Sequence, residues 1–391
     1  MEMSENDEHK TDIHSFNKWD DMELQEDVLR GIYSVGFEDP SPIQKKAVVP
    51  MVKKNDIIAQ AQSGTGKTGA FAVGILNIID VSVNKTQAVI LSPTRELSIQ
   101  TLQVLEKIGG FMTGLKLKLL IGGVSTENDQ KDIRTNTPHV VVGCPGRTFD
   151  MMRRNIIQSR NIKLLVLDEA DEMLSVGFKE QVYNIFQYLN KDVQVCLFSA
   201  TLPDEINILT EKFMRNPIKI LVKSEMLTLE GIAQYYIALD DDTYKYETLK
   251  DLYATISMTQ CIIYCNSVNR VEDLYEAMTN DNYPVARIHG NMDKEERTQA
   301  YMDFKSGGSR VLISSNVTAR GIDVQQVSTV INFDIPRDVH TYLHRIGRSG
   351  RWGRKGVGIN FITKRDIRNL RAIEAHYSTQ IEELPGSFVC S

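Results

Sequence analysis

A glycine-rich segment stands between a short apolar strand and a helix in the first part of this chain, and few folds use such a segment. The predicted strand Asp56–Ala59 leads into Ala61-Gln62-Ser63-Gly64-Thr65-Gly66-Lys67-Thr68, and a helical stretch follows through Ile79. Glycines let the backbone curl so that its N–H groups point at phosphate oxygens. Lys67 can reach the β- and γ-phosphates, and the Thr68 hydroxyl can ligate Mg²⁺. The segment predicts an ATP-type phosphate loop, with an ordinary glycine turn as the alternative.

Short apolar runs recur along the chain in two series, each alternating with longer amphipathic stretches. The first series is Asp56–Ala59, Ala88–Leu91, Val140–Val142, Leu164–Leu167 and Val195–Phe198. The second is Cys261–Tyr264, Val285–Ile288, Val311–Ile313, Thr329–Phe333 and Gly358–Ile362. Runs that are apolar on both faces are typical of parallel strands buried between helices. Two series predict two tandem parallel-sheet α/β domains joined by a short linker.

The expected domain bounds follow from where these series begin and end. The polar, charged residues 1–15 predict a disordered tail. We expect the first domain over 16–222, a linker over 223–232 that contains Gly231, and the second domain over 233–391.

Composition restricts the function less than the motifs do. Five cysteines without a CxxC pair argue against a disulfide framework or a zinc site and suit a reducing compartment. We find no apolar run near the roughly 20 residues of a membrane span and no secretory signal, so we expect an intracellular protein, cytoplasmic or nuclear. The net charge of -6 does not favour binding to nucleic acid, but the summed charge of the whole chain says little about the charge of a local cleft.

An apolar strand that ends in acids is the second catalytic signal. Leu164–Leu167 runs directly into Asp168-Glu169-Ala170-Asp171, and α/β sheets place catalytic groups at this edge. Asp168 would hold Mg²⁺ through water, and Glu169 would position and deprotonate the attacking water. The alternative is an acidic helix start, which the helix dipole also favours.

These two motifs belong to a longer resemblance to one family, which runs from Trp19 to Gln380 with the family's motifs in their usual order. The sequence resembles the DEAD-box ATP-dependent RNA helicases, and it is most similar to the group of eukaryotic translation initiation factor 4A, which includes that factor's paralogue in the exon junction complex. The resemblance implies two RecA-like domains that close around ATP and a single strand of RNA.

The resemblance also implies an adenine site. Gln44 lies in a segment that resembles the family's Q motif, and its amide can pair with adenine in a way that guanine would reject. Trp19 stands where the family has an aromatic that stacks on adenine, although a core aromatic is the alternative.

Residues in the second half resemble the family's hydrolysis and coupling motifs. Arg348 and Arg351 match arginine fingers, which would neutralise charge on the γ-phosphoryl group; a basic patch that includes Arg345 is the alternative. Asp323 matches a residue near the ATP ribose. Three residues of the first domain and one of the second match the coupling motifs: Asp171, Ser199, Thr201 and His344. The resemblance implies that the Ser199 and Thr201 hydroxyls bond to Asp171, with simple turn or cap residues as the alternative.

The RNA contacts implied by the resemblance follow strands in both domains. In the first domain they are Pro93, Thr94, Arg95, Gly122, Gly123, Gly146 and Arg147. In the second they are Asn266, Gly290, Arg297 and Ser315. Contacts of this kind read the backbone and the 2′-hydroxyls rather than the bases. Each residue taken alone could also be a turn glycine or a solvated arginine.

Four positions depart from the family pattern: Cys144 replaces a threonine, Lys294 a glutamine, Asn316 an aspartate and Asp39 a basic residue. We expect these departures to affect RNA affinity and coupling strength, not the reaction. We therefore expect RNA-stimulated ATP hydrolysis coupled to sequence-independent RNA clamping and local unwinding, with ATP and Mg²⁺ as cofactors. We expect a monomer whose partners are single-stranded RNA and an activating or clamping protein. A slowly releasing clamp and a DNA helicase are the alternatives.

Overall fold

The computed structural model describes residues 15–61, 64–175, 177–221, 232–255, 260–318, 327–349 and 356–386. These residues form two compact units, the first ending at Leu221 and the second beginning at Ile232. Each unit is a parallel β-sheet with flanking helices, which confirms the predicted fold class. The predicted tail lies almost wholly outside the described residues, and the predicted domain bounds stay predictions.

The first unit contains seven strands and nine helices within its described residues. The strands are β1 Ile57–Gln60, β2 Ala88–Leu91, β3 Leu117–Leu120, β4 Val140–Gly143, β5 Leu164–Asp168, β6 Gln194–Ser199 and β7 Ile218–Leu221. The helices are α1 Glu26–Ser34, α2 Pro42–Val52, α3 Lys67–Ile78, α4 Arg95–Ile108, α5 Thr126–Thr135, α6 Pro145–Arg153, α7 Ala170–Ser175, α8 Lys179–Tyr188 and α9 Asp204–Phe213.

The second unit repeats this pattern with fewer helices in its described part. Its strands are β8 Ile232–Ala238, β9 Cys261–Tyr264, β10 Val285–Ile288, β11 Val311–Ser314, β12 Thr329–Asn332, β13 Gly356–Ile362 and β14 Glu382–Glu383. Its helices are α10 Lys245–Thr255, α11 Val268–Asn280, α12 Lys294–Ser306, α13 Val339–Ile346 and α14 Ile367–Tyr377.

The two sheets have the same strand order. The first is β3-β4-β2-β5-β6-β1-β7, and the second is β10-β11-β9-β12-β13-β8-β14. Counted from the first strand of each unit, both orders are 3-4-2-5-6-1-7. Loops at corresponding strand ends therefore occupy corresponding places in the two units.

Alternate residues of the central strands enter two separate cores. Ala88 and Ile90 of β2 lie in the core on one face of the first sheet, whereas Val89 and Leu91 lie in the core on the other. This division follows from the two-residue period of a strand. It explains why the interior positions of the first sheet's central strands are apolar on both faces and could be recognised in the sequence.

Helix α3, which follows the phosphate loop, is buried on most of its surface. A Cβ atom on Gly74 would lie 2.4 Å from the Met51 sulfur of α2, so glycine permits the close approach of these two helices. The tight packing holds the phosphate loop on a rigid support.

Four strands were not predicted, and three of them are edge strands. β3, β7 and β14 each have one neighbour, and Lys118 and Lys219 interrupt the apolar pattern of β3 and β7. An edge strand faces solvent on part of its surface, so its sequence need not be apolar throughout. The fourth is β8, whose first residue, Ile232, was predicted to end the linker.

None of the described helices is both long and apolar enough to cross a membrane. None of the four described cysteines, Cys144, Cys196, Cys261 and Cys265, forms a disulfide, and Cys390 lies outside the described residues.

Candidate active site

Strand order decides which loops can share a site. In a parallel sheet the carboxyl ends of the strands lie at one edge, where ligands bind. In the first unit β5, β6 and β1 are neighbours, so the loops predicted to bind and hydrolyse ATP lie side by side. The strands β3, β4 and β2 are also neighbours, and their loops carry the residues predicted to bind RNA. One sheet edge thus presents two adjoining groups of loops.

The phosphate loop connects β1 to α3, which begins at Lys67. Gly64 and Gly66 have φ angles of 84° and 99°, a left-handed conformation that favours glycine. A Cβ atom on Gly66 would lie 2.6 Å from Ser41 Oγ and 2.8 Å from Gln44 Nε2. The loop therefore requires glycine both for its backbone conformation and for the approach of α2.

The other predicted residues of the loop are placed as follows. Ala61 is buried and donates its N–H to the Ser199 carbonyl (2.9 Å), which ties the loop to β6. Thr65 and Thr68 are half-buried. Gln62 and Ser63 lie outside the described residues.

Lys67 and Glu169 form a buried ion pair. Lys67 Nζ lies 3.1 Å from Glu169 Oε1, with side chains 5% and 4% exposed. Glu169 has a φ of 52°, a conformation that is costly for a residue with a side chain and that is found most often at functional sites. The predicted phosphate ligand and the predicted general base thus meet at one point.

Asp168 is a buried carboxylate suited to a cation. Its Oδ1 is buried and has no hydrogen-bond partner among the described residues. Burial, and then the charge of Glu169, raise the pKa of Asp168 to about 7, while Lys67 acts in the opposite direction. A divalent cation would compensate this charge.

The described residues contain no group of three or more His, Cys, Asp or Glu side chains that could hold a metal ion by themselves. A Mg²⁺ ion at Asp168 would therefore take most of its ligands from nucleotide phosphates and water, as Mg²⁺ commonly does, with the predicted Thr68 hydroxyl as a further ligand. The residues present fit that arrangement.

The predicted contact between Asp171 and β6 is present. Ser199 Oγ accepts the Asp171 N–H (3.2 Å), and Thr201 Oγ1 donates to Asp171 Oδ2 (2.7 Å). All three residues are at most 9% exposed. The acids after β5 are thereby linked to the loop after β6, and the coupling role of this link stays a prediction.

Gln44 bridges α2 and the phosphate loop. Its Oε1 accepts the Ser41 N–H (2.7 Å), and its Nε2 donates to the Gly66 carbonyl (3.1 Å). A side-chain amide has two donors and two acceptor lone pairs. One donor and one lone pair remain beyond these two bonds, and their pairing with adenine stays a prediction.

Trp19 is fully buried in the first unit's core. Its Nε1 has no hydrogen-bond partner in the described part of the chain. This placement favours the alternative of a core aromatic. Stacking on adenine stays a prediction, and it would require the ring to become exposed.

The predicted RNA residues of the first unit gather at the ends of β2, β3 and β4. Thr94 caps α4, where its Oγ1 accepts the Leu97 N–H (3.3 Å). Gly122, Gly123 and Gly146 are exposed, Arg95 and Arg147 are half-buried, and Pro93 is buried. Both arginines contact the loop after β3 rather than extending freely into solvent.

The second unit has a matching edge. Asn266, Gly290 and Ser315 follow β9, β10 and β11, which are neighbours in the sheet. Asn266 and Gly290 are exposed, whereas Ser315 is buried. Arg297 lies half-buried on α12.

Arg345 organises this edge, a role that the sequence did not indicate. It is fully buried, so the alternative of a surface basic patch is wrong for this residue. Its Nη2 donates to Asn266 Oδ1 (2.7 Å) and Asn316 Oδ1 (2.6 Å), and its Nη1 donates to the Asp334 carbonyl (2.7 Å). Burial lowers its pKa to about 10. The Asn316 departure thus supplies an amide, not a carboxylate, to a buried cation.

Arg348 is buried one turn after His344, and its Nε donates to the His344 carbonyl (3.1 Å). His344 is also buried. Arg351 and Asp323 lie outside the described residues.

Comparisons with known proteins agree along most of the chain. The model of the DEAD/DEAH box helicase family matches residues 41–209, and that of the helicase conserved C-terminal domain matches residues 244–353. The chain is 51% identical over 374 residues to ATP-dependent RNA helicase fal1 of Schizosaccharomyces pombe, covering 96% of this chain and 94% of that protein. It is 52% identical over 369 residues to eukaryotic initiation factor 4A of Caenorhabditis elegans, covering 94% and 91%.

A solved structure is also similar. The structure of Saccharomyces cerevisiae Dbp5 bound to RNA and ADP BeF3 has a TM-score of 0.88 and 36% identity, covering 94% of this chain and 95% of that one.

Proposed function

The chain belongs to the DEAD-box helicase family and is an ATP-dependent RNA helicase, and on that premise we propose which of its residues carry the reaction. The observation that supports the assignment best is the meeting of Lys67, Asp168 and Glu169 at the ends of β1 and β5. A phosphate ligand, a cation-binding carboxylate and a base stand together there, as phosphoryl transfer to water requires.

In the proposed reaction, the phosphate loop and Lys67 bind the β- and γ-phosphates of ATP. Lys67 leaves Glu169 when it does so, and Glu169 then orients a water molecule and accepts its proton. Mg²⁺, held through Asp168 and Thr68, would supply positive charge beside the phosphates. Arg348 and Arg351 would neutralise charge that develops on the γ-phosphoryl group.

Gln44 should set the choice of nucleotide. Its spare donor and acceptor suit adenine, so the unmodified protein should use ATP in preference to GTP. Gln44→Ala should narrow the difference in binding free energy by about 1–3 kcal/mol, since the change removes hydrogen bonds that guanine cannot make. Competition titrations with ATP and GTP would measure this. Equal use of both nucleotides by the unmodified protein would show that Gln44 does not read the base.

We propose that RNA binds along the ends of β2, β3 and β4 in the first unit and of β9, β10 and β11 in the second. The exposed glycines there allow close backbone approach, and the contacts predicted there read the sugar and phosphate rather than the bases. The activity is therefore like that of initiation factor 4A: sequence-independent clamping of one strand and local unwinding. A slowly releasing clamp is not needed to explain the site. The similar Dbp5 structure, which holds RNA, supports the RNA role.

Partner proteins fit the same proposal. A solved structure of a variant of Dbp5 holds a variant of Gle1 and IP6. By analogy, we propose an activating or clamping protein as a partner of this chain, and we propose the chain to be a monomer inside the cell.

An unwinding assay tests the proposal as a whole. A short RNA duplex with a single-stranded extension should separate in the presence of ATP and the purified chain, and it should stay paired without nucleotide. Separation at the same rate without nucleotide would contradict an ATP-driven mechanism.

Cys144 gives a smaller test at the RNA surface. The residue is half-buried before α6, and its Sγ lies 3.7 Å from Ser98 Oγ. A thiol is a weak donor, whereas the family's threonine could donate to a phosphate. Cys144→Thr should therefore tighten RNA binding several-fold, which is less than the about 1.5–3 kcal/mol of a buried hydrogen bond to a charged group because this surface is solvated.

The measurement is a fluorescence-anisotropy titration of both proteins with one single-stranded RNA and a non-hydrolysable ATP analogue. Affinity for nucleotide alone should stay the same. Unchanged or weaker RNA binding would instead favour a purely structural cysteine.

A further inference from the structure

The exposed loop that follows β3 is held by two arginines from neighbouring loops. Arg95, after β2, donates from Nη1 to the Gly122 carbonyl (2.8 Å), and Arg147, after β4, donates from Nη2 to the Val124 carbonyl (2.8 Å). Gly123, between them, has a φ of 82°. A Cβ atom on Gly122 would meet no atom within 4 Å, so internal packing does not require that glycine. Open space beside a glycine suits a backbone that a ligand approaches closely.

Arg147 is in turn held by a buried carboxylate, Asp129 of α5. Asp129 is 4% exposed on its side chain; its Oδ2 accepts from Arg147 Nη1, and its Oδ1 lies 3.2 Å from Lys118 Nζ. Lys118 also pairs with Asp132 (2.7 Å), whose side chain is 62% exposed. Asp129 thus lies between two cations, one on α6 and one on β3. Removal of either partner from such a buried arrangement leaves a charge uncompensated.

The same contacts also fix the orientation of the backbone N–H groups in this loop. The C=O and N–H of a trans peptide unit point in opposite directions, and the described chain contains no cis peptide. Because the Gly122 and Val124 carbonyls point at arginines, the N–H groups of Gly123 and Ser125 point away from them. Backbone N–H groups presented in this way can bind phosphate oxygens.

We propose that Asp129 is a positioning residue for RNA binding: it holds Arg147 against the Val124 carbonyl and so keeps this loop in the shape that receives an RNA phosphate. The inference rests on the proposed RNA role of the loop. It assigns Arg147 a bracing role rather than a direct phosphate contact, because Arg147 is 11% exposed on its side chain and its charge is matched by Asp129.

Asp129→Asn tests the proposal in the full chain. Asparagine keeps the shape of the side chain but removes its charge, so the hold on Arg147 weakens. Affinity for a short single-stranded RNA, measured with a non-hydrolysable ATP analogue and Mg²⁺, should fall roughly tenfold, the scale of about one charge-assisted hydrogen bond. The RNA KM of the ATPase should rise by the same factor. The kcat at saturating RNA and the affinity for ATP alone should stay the same.

Asp132→Asn is the matched control. It removes a carboxylate that pairs with Lys118 but does not touch Arg147, so RNA affinity should stay the same. Equal loss of affinity in both variants would indicate a general charge effect and overturn the proposal.

Arg147→Lys is the second variant, and it carries the test if Asp129→Asn does not fold. Lysine keeps the positive charge but cannot hold Asp129 and the Val124 carbonyl together in the way a forked guanidinium does. RNA affinity should fall as in Asp129→Asn. Full affinity in this variant would mean that only the charge matters, and the bracing role would be wrong.

Gly122→Ala separates this inference from the proposed RNA surface. The added Cβ meets no protein atom, so stability should hold while RNA binding weakens. If Gly122→Ala weakens binding and Asp129→Asn does not, the RNA surface stands and the positioning role is wrong. If neither variant changes RNA affinity, both proposals are wrong. An effect of Asp129→Asn alone would contradict a role through this loop.

Discussion

Glu169→Gln should slow ATP hydrolysis at least ~100-fold, the usual contribution of a general base. Glutamine has nearly the same shape and can keep the backbone conformation after β5, but it cannot accept a proton from water. ATP binding should stay equal or become tighter, because Lys67 no longer has to leave a carboxylate 3.1 Å away. Single-turnover hydrolysis and equilibrium ATP binding, each measured with saturating RNA, would separate these two effects.

Glu180→Gln is a suitable control, since Glu180 is an exposed residue of α8 in the same unit. It should hydrolyse ATP as the unmodified chain does. A Glu169→Gln protein that folds but binds no nucleotide would show that Glu169 has a structural role instead of the proposed catalytic one.

Lys67→Asn should reduce ATP turnover by about 10²–10³-fold or more, the effect of removing one group that stabilises charge in a transition state. It should also weaken ATP binding, which distinguishes it from Glu169→Gln. The reason is that Lys67 is the only cation of the phosphate loop and begins the helix that supports it. Nucleotide titration together with steady-state hydrolysis would measure both quantities.

Lys85→Asn removes an equal charge from an exposed loop and should change neither quantity. Loss of Lys67 also removes a cation that pairs with Glu169 and acts on Asp168, so the thermal unfolding midpoint should be recorded beside activity. Ordinary turnover in a folded Lys67→Asn protein would refute the phosphate-loop assignment.

Much of the arrangement that we propose as the ATP site could be predicted from the sequence, because its residues lie beside strongly patterned elements. Lys67 follows a buried strand and begins an apolar helix, and Asp168 ends a strand that is buried throughout. Local patterns of this kind suffice for the prediction, because any fold that places both strands in one parallel sheet brings the residues at their carboxyl ends to the same edge. The Asp171–Thr201 contact was likewise anticipated, although only through the resemblance to a family.

What was missed depends on contacts between distant parts of the chain. The sequence around Arg345 indicates a surface cation. In the structure, three asparagine side chains from separate strands and loops accept hydrogen bonds from it. The hold of Asp129 on Arg147 joins α5 to α6, and no sequence spacing indicates it. Trp19 lies in a buried cluster that also contains residues of α1 to α4, and its sequence neighbours alone do not decide between that burial and exposure. Burial of this kind is a property of tertiary packing rather than of local sequence.

The central claim is that RNA binding drives ATP hydrolysis in this chain. The most direct test is the steady-state ATPase rate of the purified full chain, without partners, in the presence of single-stranded RNA and of single-stranded DNA of the same sequence. Because the proposed contacts include 2′-hydroxyls, which DNA lacks, we expect RNA to stimulate hydrolysis and DNA to do so weakly or not at all. Equal stimulation by DNA, or none by RNA, would contradict the account.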